Sequence, residues 1–400
     1  MHIFNPLSVD RQASPEARRV LWLLMVASFF LQLGFAAWNS LFNNFAADEL
    51  LLGADQVGMI QGLREIPGLL GFVLGWIVML IPEMRLIGLC VVLLGGGLVL
   101  MSQTGGYWSL LVATMIMSVG FHFYESSRVS LALTFTRKEV APRVLGALAS
   151  IGAVASMLGT SIVLLLALPL GYRPLIVLLG AVTFVGGMAV TVLSNQGRAE
   201  RLPRKVIFRK RYWLYYVLTF LMGSRRHIFS TFAIFLLVSE FHVNVQQSAA
   251  LFLFNSIATT LAYPQIGRLV ARLGERTILT INFAVLTVVF VGYAYLRWVP
   301  ILVLFFMFDN ILFGFALSIN TYFHKIAVTP EEITSNVSMA QTINHLSAVF
   351  VPALGGLIWR LYGYQATFMA GTAIALAALI LTQWVKVERP ATAATGVVES

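Results

Sequence analysis

The run Gly223-Ser224-Arg225-Arg226-His227 sits inside an apolar stretch from about Trp213 to Val238. Even a lenient insertion scale charges roughly 2.5–3.5 kcal/mol for one arginine at the centre of a membrane helix. Such a cluster must face water, a counter-ion or a ligand. The planar guanidinium fork suits bidentate binding of carboxylate or phosphate, so an anionic substrate is the direct inference. Neighbouring residues on a helix cannot point the same way. One of Arg225 and Arg226 is therefore expected to look into a cavity while the other pairs with Glu65, Glu125 or Asp309.

Other polar groups recur in apolar runs. Ser28, Gln32, Asn39 and Asn43 follow i, i+4, i+11, i+15 and share one narrow helix face. Gln61, Arg64 and Glu65 lie within one turn, as do Gln341, Asn344 and His345. His122, Glu125 and Arg128 form a third set, in which Glu125 reaches Arg128 at i+3. An internal Glu125–Arg128 pair is the economical reading, and proton exchange on Glu125 the alternative. Asp309 and Asn320, eleven residues apart, are expected on nearly one face, with His324 and Lys325 a turn beyond Asn320; Lys325 reads as a topology anchor. Four of the six histidines, His122, His227, His324 and His345, fall in apolar runs. A metal site with Glu125 and Asp309 as oxygen ligands is conceivable, yet no helix carries paired-ligand spacing. Proton transfer or hydrogen bonding is the preferred role for these histidines, and no metal site is assigned.

The elements that must hold these residues follow from composition. The chain has 400 residues, 58% of them hydrophobic and 11% charged, with a mean hydropathy of +0.84. Soluble domains carry about 25% charged residues. Continuous apolar runs of about 20 residues indicate membrane helices rather than a barrel. At roughly 30 residues per span and loop, the length allows about twelve. The expected spans are 20–46, 55–81, 85–103, 107–136, 144–168, 174–194, 213–240, 246–271, 277–297, 299–326, 333–360 and 364–385. With the N-terminus inside, inside segments carry 20 Lys/Arg and outside loops three, Arg173, Arg297 and Arg360. Arg64, Arg128, Arg225 and Arg226 lie within spans. The asymmetry predicts both termini in the cytoplasm. It also accounts for the net charge of +10 without nucleic acid. The first apolar run is too long for a signal-peptide core and reads as an uncleaved helix. The single Cys90 excludes an intrachain disulfide.

Residues 195–212 form the longest inside loop, with seven Lys/Arg. This basic linker divides the chain into 1–194 and 213–400, six spans each. The halves share T-x-x-E-[V/I]-x-x-x-V, at Thr136 to Val144 and Thr329 to Val337, which supports a duplicated six-helix unit. A local signature lies between spans 8 and 9: Gly267, Arg268, Arg272, Gly274 and Arg276 match G-x-L-x-D-R-x-G-R-R, with Ala271 at the aspartate position. The first-half equivalent is degenerate, with Met79 and Pro82 at the acidic and second glycine positions. On these features the chain resembles the major facilitator superfamily over nearly its whole length. The Gly-Pro kink of drug/proton antiporters is missing from the Gly152–Gly159 stretch, and Pro352 appears in span 11 instead.

The resemblance implies an all-α polytopic membrane protein, with twelve transmembrane helices in two pseudo-symmetric six-helix bundles. Helices 1, 4, 7 and 10 would line a central cavity, and the Gly267–Arg276 loop would act as a cytoplasmic gate latch. The expected activity is secondary transport of a small molecule, an organic anion first, by proton-coupled alternating access. Substrate contacts are assigned to Gln32, Asn39, Arg225, Arg226, Asn320 and His345. Coupling or ion pairing falls to Arg64, Glu65, His122, Glu125, Arg128 and Asp309. The partners are substrate, protons or another coupling ion, and the lipid bilayer, around a monomer in a bacterial inner membrane. No cofactor is implied, and no P-loop is present. A metal, cation or drug exporter of the same fold is the alternative, followed by a membrane enzyme or an assembly factor.

Overall fold

The computed structural model describes residues 14–137, 139–194 and 208–386. Most of the expected linker (195–207) lies outside the described residues, as do Arg11, Lys138 of the first repeat motif, and 387–400. Among the described residues there is no strand, and the chain makes twelve helical passages. In the first half these are α1 (Pro15–Asn44), α2, α3 (Glu83–Met101), α4 (Tyr107–Thr134), α5 (Ala141–Leu170) and α6 (Tyr172–Leu193). The second half has α7 (Trp213–Ser239), α8 (Val245–Leu273), α9 (Glu275–Tyr295), α10, α11 (Pro330–Tyr362) and α12 (Tyr364–Thr382). Two passages are interrupted. α2 comprises Ala54–Leu63, Ile66–Leu69, a 3-10 turn at Leu70–Val73, and Leu74–Leu80. α10 comprises Val299–Phe313 and Leu317–Ile326 around a 3-10 turn at Gly314–Ala316. Ten passages are long and apolar enough to cross a membrane on length and composition alone; the broken α2 and the polar α8 fall short.

The breaks correct two expectations. α2 was expected to run unbroken over 55–81, but Pro67 has no N–H to give and starts a new helical segment, leaving Arg64 and Glu65 in the turn before it. In α10 the 3-10 turn shifts the helical phase, because three residues per turn replace 3.6. Asp309 is consequently buried while Asn320 is exposed, although eleven-residue spacing would have kept them together.

The duplication is visible in local geometry. Gly171 (φ +75°) and Gly363 (φ +83°) make the α5–α6 and α11–α12 turns, 192 residues apart, and each precedes a tyrosine. Both values lie in the left-handed region that glycine enters without steric cost. The starts of α2 and α8 match as well. Gln56 Oε1 accepts from Gly53 N at 3.1 Å, and Gln247 Oε1 from Asn244 N at 3.0 Å.

Within the first half, α1 packs on α3, α5 and α6, and α3 on α4 and α6. In the second, α7 packs on α11 and α12, and α9 on α12. The halves meet mainly through α2 with α11 and α5 with α8, two pairs that exchange when the halves are exchanged. Backbones come very close at the α2–α11 seam. A Cβ on Gly58 would stand 2.3 Å from the Pro352 carbonyl oxygen, one on Gly62 2.4 Å from that of Val349, and one on Gly356 2.5 Å from that of Ala54. Asp55–Arg360 (3.0 Å) and the Asn44 amide on Val243 O (2.9 Å) tie the same end.

The apolar core has the same asymmetry. One cluster runs from α1 and the first-half helices into Phe229–Leu237 of α7, Val289–Ala294 of α9 and Phe368 of α12. The other end of the second half, from Tyr212 and Phe323 to Val385, keeps a core of its own. Among the described residues, the closest seam contacts gather at the α1–α2 end, while the opposite end of the second half packs on itself.

At that opposite end, ahead of the α11 span, Glu332 accepts from the Tyr212 hydroxyl and from Val328 N (3.1 Å) and pairs with Arg209 and Arg211. The Tyr212 hydrogen bond first, then the Val328 amide and the guanidiniums, hold its carboxyl down to about 2 from an ordinary 4.5, outweighing desolvation. Thr329 Oγ1 caps the same turn by accepting from Glu332 N at 3.4 Å.

Two outcomes are expected. Gly58→Val should pry the α1–α2 end open, seen as faster maleimide labelling of a cysteine at Ser230, since native Cys90 is buried and silent; unchanged labelling would argue against a tight seam. Because the Glu332 carboxyl is depressed, its contribution is complete above about 4.5 and lost as pH falls toward about 2. Glu332→Gln should therefore lower the thermal midpoint at neutral pH, with parent and variant converging in acid.

Candidate functional site

The break in α2 brings charge to the seam between the halves. Its backbone stays satisfied: Glu65 N donates to Gly62 O (3.1 Å), Gly68 N to Glu65 O (3.0 Å), and the Ser118 hydroxyl of α4 to Arg64 O. Arg64 and Glu65, expected about 100° apart on a regular helix, pair with each other in the turn (Nη2–Oε1 3.0 Å). Arg64 Nε also donates to Gln61 Oε1 at 2.6 Å, and its guanidinium lies 4.7 Å over the Trp38 ring. The other Glu65 oxygen, Oε2, faces two histidines, His345 Nδ1 of α11 at 3.2 Å and His122 Nε2 of α4 at 3.6 Å. The two imidazoles meet edge to face with centroids 5.2 Å apart.

Two cavities flank this group. The smaller, about 70 Å³, is lined by Trp38, Asn39, Gln61, Arg64, Glu65 and His227 among others. The larger, about 410 Å³, lies among α1, α4 and α5, with Gln32, Phe35, Phe121, Tyr124, Glu125 and Arg128 on its walls. The polar stripe of α1 runs through both: Ser28 and Gln32 face the larger, Asn39 and Asn43 the smaller. An aromatic stack stands between them. Phe121 lies on Phe35 with centroids 4.1 Å apart, and Phe35 on Trp38 at 5.5 Å. In the larger cavity Arg128 Nη2 and Glu125 Oε2 pair at 2.8 Å, and Gln32 Nε2 reaches Glu125 Oε1 at 3.4 Å.

The α7 cluster resolves into two environments. Arg225 is fully buried and pairs at 2.6 Å with Asp309 of α10, itself 1% exposed, with Met222 Sδ 3.4 Å from Nε. Arg226 is half-buried. Its guanidinium lies 3.8 Å from the centroid of the Phe313 ring, and Nη1 is 3.5 Å from Asn310 Oδ1. Among the described residues, no carboxylate lies within ion-pair distance of Arg226. Gly223 lets α7 approach α11, for a Cβ there would stand 2.6 Å from Ser347 Oγ.

Three residues assigned from the sequence sit elsewhere. Asn320 and His324 are exposed near the end of α10 and line neither cavity; Arg225, Arg226 and His345 line neither as well, and it is His227, not an arginine of the α7 cluster, that faces the smaller one. Lys325, expected as a topology anchor, pairs at 2.6 Å with the buried Glu275 of α9. In the Gly267–Arg276 loop, Gly274 takes φ +80° between α8 and α9, Arg276 reaches Gln383 Oε1 (3.2 Å), and Arg268 and Arg272 are exposed. Glu125 and Asp309, the oxygen ligands envisaged for a metal, are each engaged by an arginine. Trp38, Phe35 and Phe313 are the site residues that sequence reasoning passed over. Aromatic side chains in membrane spans are too common to stand out.

Buried ion pairs and two cavities inside a bundle of apolar helices, one within the first half and one at the seam, are features of a membrane transport fold. The sequence profile of the Major Facilitator Superfamily matches residues 24–328 and 216–397, and the chain belongs to that family. No curated protein matches it in sequence. Its fold is similar to the crystal structure of the nucleoside transporter NupG, at 13% identity and TM-score 0.75, covering 91% of this chain and 98% of that one. It is similar also to a bacterial homologue of the human lysosomal transporter Spinster in an inward-facing and occupied conformation. There the identity is 13% and the TM-score 0.73, with coverage of 95% of this chain and 100% of that one.

Removing one partner of a sealed pair leaves an uncompensated charge, at a cost of about 3–5 kcal/mol. Arg225→Gln or Asp309→Asn alone should therefore lower the thermal midpoint of the purified protein sharply. The double replacement Arg225→Met with Asp309→Leu should recover most of the loss. Single variants as stable as the parent would show that the pair is not the α7–α10 tie.

Proposed function

We propose that the protein is a secondary transporter that carries a small organic anion by alternating access and is driven by protons. One observation carries the anion: of the four intramembrane arginines, three have a carboxylate within 3.0 Å, whereas among the described residues Arg226 meets an aromatic face and an amide oxygen and no carboxylate. A guanidinium kept inside a membrane span without a fixed counter-ion is an acceptor for a mobile one. Arg226 is thus the anion contact, and Arg225 the structural partner. Gln32, Asn39 and His345 are polar contacts nearer the seam. Asn320 would meet the substrate only toward the open end.

Glu125 is the proton carrier in this reading. It lines the larger cavity with its side chain 31% exposed, whereas Asp309 is sealed against Arg225. Loss of a proton would strengthen its pairing with Arg128 and with Gln32 of α1, which ties protonation to the packing of α1 on α4. The basic face, both termini included, is cytoplasmic, in a bacterial inner membrane. With that orientation the α1–α2 end is external and the conformation inward-facing, the state named for the Spinster homologue. Residues 1–194 and 213–400 are the two rocking units.

Uptake into proteoliposomes, screened over small organic anions with and without a pH gradient, tests the proposal. Arg226→Gln should fold normally and lose at least about tenfold in uptake, in line with the cost of a lost charged hydrogen bond. Glu125→Gln should abolish proton-driven accumulation while sparing substrate exchange. Full uptake by Arg226→Gln, or gradient-driven accumulation by Glu125→Gln, would refute the corresponding role.

A further inference from the structure

We propose that Glu65, His122 and His345 form a binding site for a divalent transition metal of the zinc type, one that staples the two halves together in this conformation. One ligand atom from each of the three residues lies within 4.8 Å of the other two, and Glu65 Oε2 faces His345 Nδ1 and His122 Nε2. Ligands held at about 2.0–2.2 Å from a tetrahedral ion are about 3.3–3.6 Å apart. Two of the three edges, at 3.2 and 3.6 Å, are already close to that spacing. A small imidazole rotation brings the third into range.

The donor chemistry selects the ion. Two imidazole nitrogens and one carboxylate oxygen suit zinc and its first-row neighbours, whereas magnesium and calcium require oxygen cages. His122, 7% exposed, is buried, and among the described residues its Nε2 makes no hydrogen bond within 3.5 Å, the Glu65 oxygen standing 3.6 Å away. A buried nitrogen left without a partner is costly unless something is there to be bound. Arg64 occupies Glu65 Oε1 and so turns Oε2 toward the histidines, the outer-shell role that orients a ligating carboxylate. Its guanidinium stays on the far side of the carboxylate, over Trp38.

The ligands span the seam. Glu65 and His122 belong to the first half and His345 to the second. Gly68 keeps the place open, for a Cβ there would stand 2.7 Å from His345 Nδ1 and 3.0 Å from His122 Nδ1. An ion bound by all three favours the conformation that holds them together, in proportion to its occupancy. The site shares His345 with the polar contacts of the proposed transport cycle, but zinc binding to the purified chain is read without anion or pH gradient, so the failure of either reading is distinguishable from the failure of the other.

The test is zinc titration of the tag-free, chelator-treated full chain in detergent, by calorimetry and thermal unfolding. One zinc per chain and a raised thermal midpoint are expected, with His122→Ala and His345→Ala each losing at least tenfold in affinity. Exposed His324→Ala should bind as the parent does. His345→Cys should bind again but shift its preference toward cadmium, because a thiolate is a softer ligand; a merely structural histidine would show no such change. Gly58→Val touches no ligand, yet it should weaken zinc binding by separating the halves. Absence of saturable binding, or binding that survives both alanine variants, would overturn the site. Parent-like affinity in a folded Gly58→Val protein with the seam opened would overturn the staple.

Discussion

Arg225 and Asp309 are the most demanding pair in the chain, since both are sealed from solvent at depth in the membrane. Neither charge is tolerable there alone. Matching them fixes the rotation and depth of α7 against α10, and much else follows from that one registration. It sends the next residue, Arg226, to the Phe313 face and His227 to the cavity beside Glu65. It also turns Gly223 toward Asn344 and Ser347 of α11, whose side chains would have to move to admit a Cβ there. The cluster that looks unaffordable in a linear sequence is thus one locked charge setting the direction of its neighbours.

The seam between the halves is built on a different principle. Helices in a bilayer gain nothing from burying apolar surface against each other, so close backbone approach and polar contacts hold them. Gly58, Gly62 and Gly356 supply the approach, and the Glu65 group and Asp55–Arg360 supply the polar ties. Such contacts are individually modest; an exposed pair like Asp55–Arg360 contributes about 0–1 kcal/mol. A closure assembled from modest terms can open, whereas the α7–α10 pair within one half stays shut.

Much of this organisation is legible in the sequence. Twelve helical passages follow from the apolar runs, and the paired Gly-Tyr turns sit at nearly the offset of the paired motifs. Local pairs are legible too, as Glu125–Arg128 shows, because i, i+3 spacing fixes their geometry. Breaks are harder to see. Pro67 marks a new segment, but from sequence alone it is equally compatible with a kinked continuous helix, so Arg64 and Glu65 appear as divergent neighbours rather than a pair. Long-range partners are the least visible: Arg225 had three acids to choose from, and Lys325 gave no sign of Glu275. The convergence of Glu65, His122 and His345 from three helices depends on how the halves dock, which no local pattern encodes.

The aromatic stack of Phe121, Phe35 and Trp38 has a consequence for proton movement. A phenyl ring offers neither a donor nor an acceptor, so a proton is not handed along it. The Glu125–Arg128 pair lies by the cavity on one side of the stack and the Arg64–Glu65 pair by the cavity on the other. The two charge groups are thereby kept chemically separate, although both stand along the same face of α1.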